Sequence, residues 1–212
     1  MFGYVLHSNL QSGIHHLESM VSSSGIAWVF AAAFLLLTYV ISRTGCKNGS
    51  QPGYTIQRLG ISERSFFIWQ AVYNTAVYAL LLGAELLLLM ALARYWQTAA
   101  NQDLIGAQSI FLAFYRNDFL HSLLPMEDAG FWIKNVAVVL SMGICSAHYP
   151  MAQRRGKKFQ EVMLMTACVL AFFVGELGEY VTPSIIICCG MLCVLYAVFQ
   201  AFSKGEDEES TS

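Results

Sequence analysis

The sequence predicts an all-α fold: a polytopic membrane helix bundle of about five transmembrane helices, plus a re-entrant or interfacial outer helical segment. Three observations predict it. The 212-residue chain is 56% hydrophobic and only 12% charged, against roughly 25% charged in a soluble domain. Five apolar runs approach the ~20 residues that cross a bilayer. Lys and Arg gather in the loops on one side of those runs. The net charge of −2 carries little information beside that distribution.

Residues 1–24 read as an extracytoplasmic N-terminal segment. They lack the basic region and small-residue cleavage site of a secretory signal. His7, His15, His16 and Glu18 lie here. His15 and Glu18 are neighbours at i,i+3 on a helix. Adjacent His15 and His16 do not share a face, so a surface helix is favoured over a three-ligand metal site.

The transmembrane domain, 25–202, opens with Gly25–Ser42, rich in Ala, Leu and Phe. The second span is Phe66–Ala93, 28 residues, or ~42 Å at 1.5 Å per residue. It exceeds a hydrocarbon core of ~30 Å, so it tilts or projects into the cytoplasm. The third span is Phe131–Tyr149, the fourth Val162–Val181 and the fifth Ser184–Phe202. Thr182-Pro183 separates the last two into a tight hairpin, with proline tolerated in the first helical turn. Leu104–Leu124 is interrupted by Arg116-Asn117-Asp118. Two half-helices on or in the outer leaflet fit it better than a span, with Asn117 or Asp118 as a cap.

Charge supports that assignment. With five crossings, one side holds Arg43, Lys47, Arg58, Arg64, Arg154, Arg155, Lys157, Lys158 and Lys204. The other holds Arg94, Arg116 and Lys134. The positive-inside rule places the basic loops and the C-terminus in the cytoplasm and the N-terminus outside, in a multi-pass protein of the cell membrane. Tyr95, Trp96 and Trp132 then fall at the outer interface. Residues 203–212 form an acidic, solvated cytoplasmic tail.

The six cysteines carry no metal-ligand or disulfide spacing. Cys46 lies in a polar loop, and Cys145, Cys168, Cys188, Cys189 and Cys193 fall in apolar runs, where they act as small hydrophobes. No metal or other cofactor is expected on this chain, and nucleic acid is not an expected partner.

The loop Arg43–Ser65 carries the strongest functional signal. Tyr54–Leu59 is long enough for about one and a half helical turns. Gly60 can end such a helix in the left-handed conformation. Ser62 can cap the next helix, with Glu63 near its positive end. Ile61 and Phe66 occupy the positions of a hydrophobic staple. A push on the short helix would pass directly to the long span.

The stretch Gly53-Tyr54-Thr55-Ile56-Gln57-Arg58-Leu59-Gly60-Ile61-Ser62 resembles a loop of type-two ABC exporter permeases. The order of spans over about 25–202 is also similar. The resemblance implies that Tyr54, Thr55, Arg58, Leu59, Ile61, Ser62, Glu63 and Arg64 contact a separate ABC ATPase, which binds ATP and Mg. It also implies a second permease chain or a homodimer copy. The family has six spans, so the resemblance implies either a reduced permease or replacement of the first span by residues 1–24, and Gly60 stands where proline is frequent. No GxxxxGK[ST] signature occurs, so the resemblance implies that ATP is hydrolysed by another chain. The basic patch Arg154, Arg155, Lys157 and Lys158 serves topology and anionic lipid contact, and is compatible with a second docking surface.

Polar groups inside the spans offer two readings. Gln70, Asn74, Tyr78 and Glu85 fall within about 80° on one helix. They form a helix–helix contact stripe or line a substrate route, and contact is favoured for Gln70 and Asn74. Glu85 is a membrane carboxylate, which faces protein or water. Glu176 and Glu179 lie i,i+3 beside Gly175 and Gly178. They line the outer mouth, pair with Arg94, Arg116 or Lys134, or bind a cation. His148 reads as an interfacial hydrogen-bonding residue. The alternatives to a permease subunit are a non-catalytic membrane scaffold or sensor, and an intramembrane enzyme using Glu176, Glu179 and His148. The enzyme lacks a recognisable nucleophile.

Overall fold

A computed structural model describes residues 25–44, 62–99, 121, 123, 129–154, 161–174 and 181–202. All five elements in it are helices: α1 (Ile26–Arg43), α2 (Glu63–Ala99), α3 (Ala129–Arg154), α4 (Glu161–Val174) and α5 (Val181–Phe202). The chain is an all-α bundle. Four helices are long and apolar enough to cross a membrane: Ile26–Arg43, Arg64–Tyr95, Ala129–Gln153 and Ser184–Phe202. The chain is therefore a multi-pass membrane protein. α4 is apolar but has 14 residues, about 21 Å at 1.5 Å each. Residues 175–180 of the expected fourth span, with Glu176 and Glu179, lie outside the described residues, and its last residue, Val181, belongs to α5.

α1 starts at Gly25, whose φ of 65° is left-handed. The absence of a Cβ allows that turn. Trp28 and Val29 donate their N–H groups to Gly25 O at 3.1 and 3.2 Å. At the far end Thr44 N–H reaches Val40 and Ile41 carbonyls, and Thr44 Oγ1 donates to Val40 O at 2.9 Å.

α2 runs unbroken for 37 residues. It continues past Ala93 because Arg94 to Ala99 include good helix formers, although their polarity ends the apolar run. α3 likewise continues past Tyr149 to Arg154, with Pro150 inside it. Proline has no N–H to offer the Ser146 carbonyl one turn back. α5 starts at Val181, so Thr182 and Pro183 belong to its first turn.

α3 is the hub. It packs most extensively on α2 and α5 and also meets α1 and α4. The main core joins Phe30, Phe34, Tyr78, Val138, Met142, Met165, Val169 and Ile186 from all five helices. Their outward faces carry Trp28, Trp69, Leu80, Leu87, Leu192 and Phe199, all exposed. In water such a surface is a liability; in a bilayer it is the contact with acyl chains.

Close approach marks two helix crossings. A Cβ on Gly143 would sit 2.8 Å from Thr75 Cα, so α3 meets the α2 backbone there. A Cβ on Gly190 would meet Ser141 Oγ at 2.5 Å, bringing α5 against α3. Small residues at such crossings are how membrane helices gain dispersion contacts.

Candidate functional site

The described helix ends that carry the basic loops converge at one end of the bundle. An apolar cluster of Phe67, Ala71, Ala147, Met151 and Ala201 joins the start of α2 to the ends of α3 and α5. Arg64 places its guanidinium 5.8 Å from the centre of the Phe202 ring. Gln70 Nε2 donates to Thr44 O at 3.1 Å, which ties the exit of α1 to α2. His148 Nδ1 and Glu161 Oε2 are 3.1 Å apart and join the end of α3 to the start of α4. The Phe67 ring meets His148 edge-on at 6.4 Å.

Ser62 caps α2. Ser65 N–H donates to Ser62 Oγ at 3.2 Å, and Phe66 N–H to Ser62 O at 3.1 Å. This bond pattern is that of an N-cap serine. Tyr54, Thr55, Arg58, Leu59 and Ile61 lie outside the described residues, as do Arg155, Lys157 and Lys158. Glu63 and Arg154 are the terminal residues of α2 and α3. Of the expected ATPase-contacting side chains, Arg64 is half-buried against Phe202, not free at the surface.

One helical turn deeper, the polar stripe of α2 is used for helix contact. Asn74 is 1% exposed, and its amide lies 2.9 Å from Ser146 Oγ on α3. With the amide oxygen toward Ser146 and Ala147 N, its nitrogen reaches Gln70 O at 3.3 Å. Tyr78 OH donates to Thr38 Oγ1 on α1 at 3.1 Å. Thr38 Oγ1 in turn donates to Phe34 O at 2.8 Å. The chain of bonds thus crosses from α1 through α2 to α3. Two buried acceptors near this end, Gln70 Oε1 and Glu161 Oε1, have no partner among the described residues.

Glu85 lies further along the same stripe, half-buried, with no polar partner among the described residues. α2 and α3 run antiparallel, with Asn74 at Ser146 and Thr75 at Gly143. Continuing that register puts Glu85 at about the level of Lys134. Lys134 is 2% exposed, with its ammonium 4.9 Å from the Phe131 ring centre. The end of the bundle away from the basic loops also receives the described part of 104–124. Leu123 is buried and its carbonyl accepts from Asn135 Nδ2 at 3.3 Å, while the His121 ring lies against Phe131.

Among the described residues no group of three or more His, Cys, Asp or Glu is placed to hold a metal ion. Sequence reasoning missed Thr38, Thr44, Ser146 and Glu161. Each is the partner of a residue it did identify, and each lies on, or in the case of Thr44 caps, another helix. Glu161 opens a helix and is the one acidic residue of its first turn, a signal that could have singled it out. No protein family, curated protein or solved structure matches this chain.

Proposed function

We propose that this chain is the membrane-spanning subunit of an ATP-driven ABC exporter, and that a separate ATPase docks on the loop-bearing end of the bundle. One observation supports the reading above others: the four helix termini that flank the basic loops meet the end of α5 at one end of the bundle and are pinned there. A force on loop 45–61 enters α2 through the Ser62 cap. It is then carried along an unbroken 37-residue helix that is locked to α3 at Thr75–Gly143 and Asn74–Ser146. Arg58 and the patch Arg154–Lys158 supply positive charge for an acidic docking face. A second permease chain or copy completes the pathway.

The test is affinity isolation of the full chain from its own membrane in mild detergent, followed by identification of bound proteins. A P-loop ATPase retained by the native chain and released by Arg58→Glu supports the role. Its absence from the native chain counts against it.

A second reading has its own supporting observation. Gln70, Asn74 and Tyr78 all bond to neighbouring helices, which suits a rigid scaffold or sensor subunit rather than a lined route. In that case the same isolation retains a membrane partner and no ATPase.

A further inference from the structure

Four thiols gather where α3, α4 and α5 meet, and the function proposed above uses none of them. Cys145 and Cys193 are buried and pack with Val162 and Cys189. Cys168 on α4 and Cys189 on α5 bring their Sγ atoms to 3.7 Å. Both are partly buried, unlike the fully buried Cys145. Cys188, one residue away, is exposed and takes no part.

We propose that Cys168 and Cys189 are a redox-active pair that closes to a disulfide across the α4–α5 hairpin, with an organic hydroperoxide of the acyl phase as oxidant. The geometry selects this pair. A disulfide needs Cβ atoms ~3.8 Å apart. Cys189 and Cys193 are i,i+4 on one helix, where Cβ atoms are about 5–6 Å apart, so they cannot bridge without unwinding it. Cys145 is fully buried, out of reach of an oxidant dissolved in lipid. The α5 backbone at Gly190 is held against Ser141 of α3. Cys189 is therefore presented at a fixed position, and only a small approach of α4 is needed.

The chemistry balances in two steps. The sulfur of one thiol attacks the terminal peroxide oxygen and breaks the O–O bond, giving a sulfenic acid and the alcohol of the oxidant. The sulfur of the second thiol attacks the sulfenic sulfur, the S–S bond forms and water leaves. Two thiols are oxidised and one hydroperoxide is reduced. The bridge would fix α4 to α5.

The test treats membranes containing the full chain with cumene hydroperoxide, then blocks free thiols with maleimide and maps peptides without reduction. The expected result is a Cys168–Cys189 peptide pair lighter by two hydrogens, reversed by dithiothreitol. Cys168→Ser and Cys189→Ser abolish it, whereas Cys193→Ser and Cys188→Ser leave it intact. Maleimide labelling of Cys188 in every sample that retains it verifies that reagent enters the bilayer region, and unchanged gel-filtration elution verifies folding of each variant. A native chain in which Cys168 and Cys189 remain free thiols under oxidant overturns the proposal. So does a bridge to Cys145 or Cys193 in place of this pair.

Discussion

Asn74 of α2 and Ser146 of α3 meet at 2.9 Å in the buried interior, beside the point where Gly143 lets Thr75 approach. A polar bond and a backbone crossing thus coincide. Where lipid surrounds a bundle, helix association rests on such packing and bonds rather than on water exclusion. The pair should therefore show measurable coupling. A double-mutant cycle of Asn74→Ala and Ser146→Ala, read by denaturation in detergent, is expected to give about 0.6 kcal/mol and no more than ~1.7. Additive single effects would remove this bond from the list of what joins α2 to α3.

The two glycine crossings differ in what they meet. At Gly143 a new Cβ confronts the Thr75 backbone, and at Gly190 it confronts a hydroxyl that can rotate. Gly143→Ala is expected to destabilise by about 1–3 kcal/mol and Gly190→Ala by less. Thermal unfolding of both variants in the same detergent checks the order. Equal losses would mean that α2 and α3 separate freely.

His148 and Glu161 face one another in a buried pocket, with side chains 4% and 12% exposed. His148→Ala leaves the Glu161 carboxyl without its partner, at a cost of about 1–3 kcal/mol. Glu161→Gln keeps an acceptor at the same place and is expected to lose less. Limited proteolysis of the loop between α3 and α4 provides a local readout. Faster cleavage in His148→Ala than in Glu161→Gln is the expected pattern.

The Arg64–Phe202 contact couples the start of α2 to the end of α5. Removing it by Phe202→Leu is expected to cost about 0.5–1 kcal/mol, the range of an exposed cation–π contact. Arg64→Ala should add nothing further in the Phe202→Leu background. Additivity in that cycle would separate Arg64 from α5. Because Arg64 holds the bundle, Arg58 is the cleaner probe of docking.

The spans are legible in the sequence because bilayer thickness imposes a run length, and the stripe Gln70, Asn74, Tyr78 and Glu85 because helical spacing imposes a face. Their partners are not legible. Thr38 sits in an apolar run and satisfies its hydroxyl on Phe34 O, so nothing local marks it as the acceptor for Tyr78. Ser146 is equally silent until α3 lies on α2. Helix ends were harder to read than helix centres. Hydrophobicity stops at Ala93 and Tyr149, whereas backbone bonding continues to Ala99 and Arg154. Arg64 shows the limit of reading charge alone: a cation in a basic loop turns out to rest on an aromatic ring of another helix.

The docking role is tested most directly by photo-crosslinking. A benzophenone amino acid is placed at Arg58, at Lys157 and, as the opposite-end control, at Tyr95, which is exposed. Irradiation of native membranes is expected to join the Arg58 and Lys157 probes to the same P-loop ATPase and the Tyr95 probe to none. No ATPase adduct from either loop, or an equal yield from Tyr95, would contradict the coupling role.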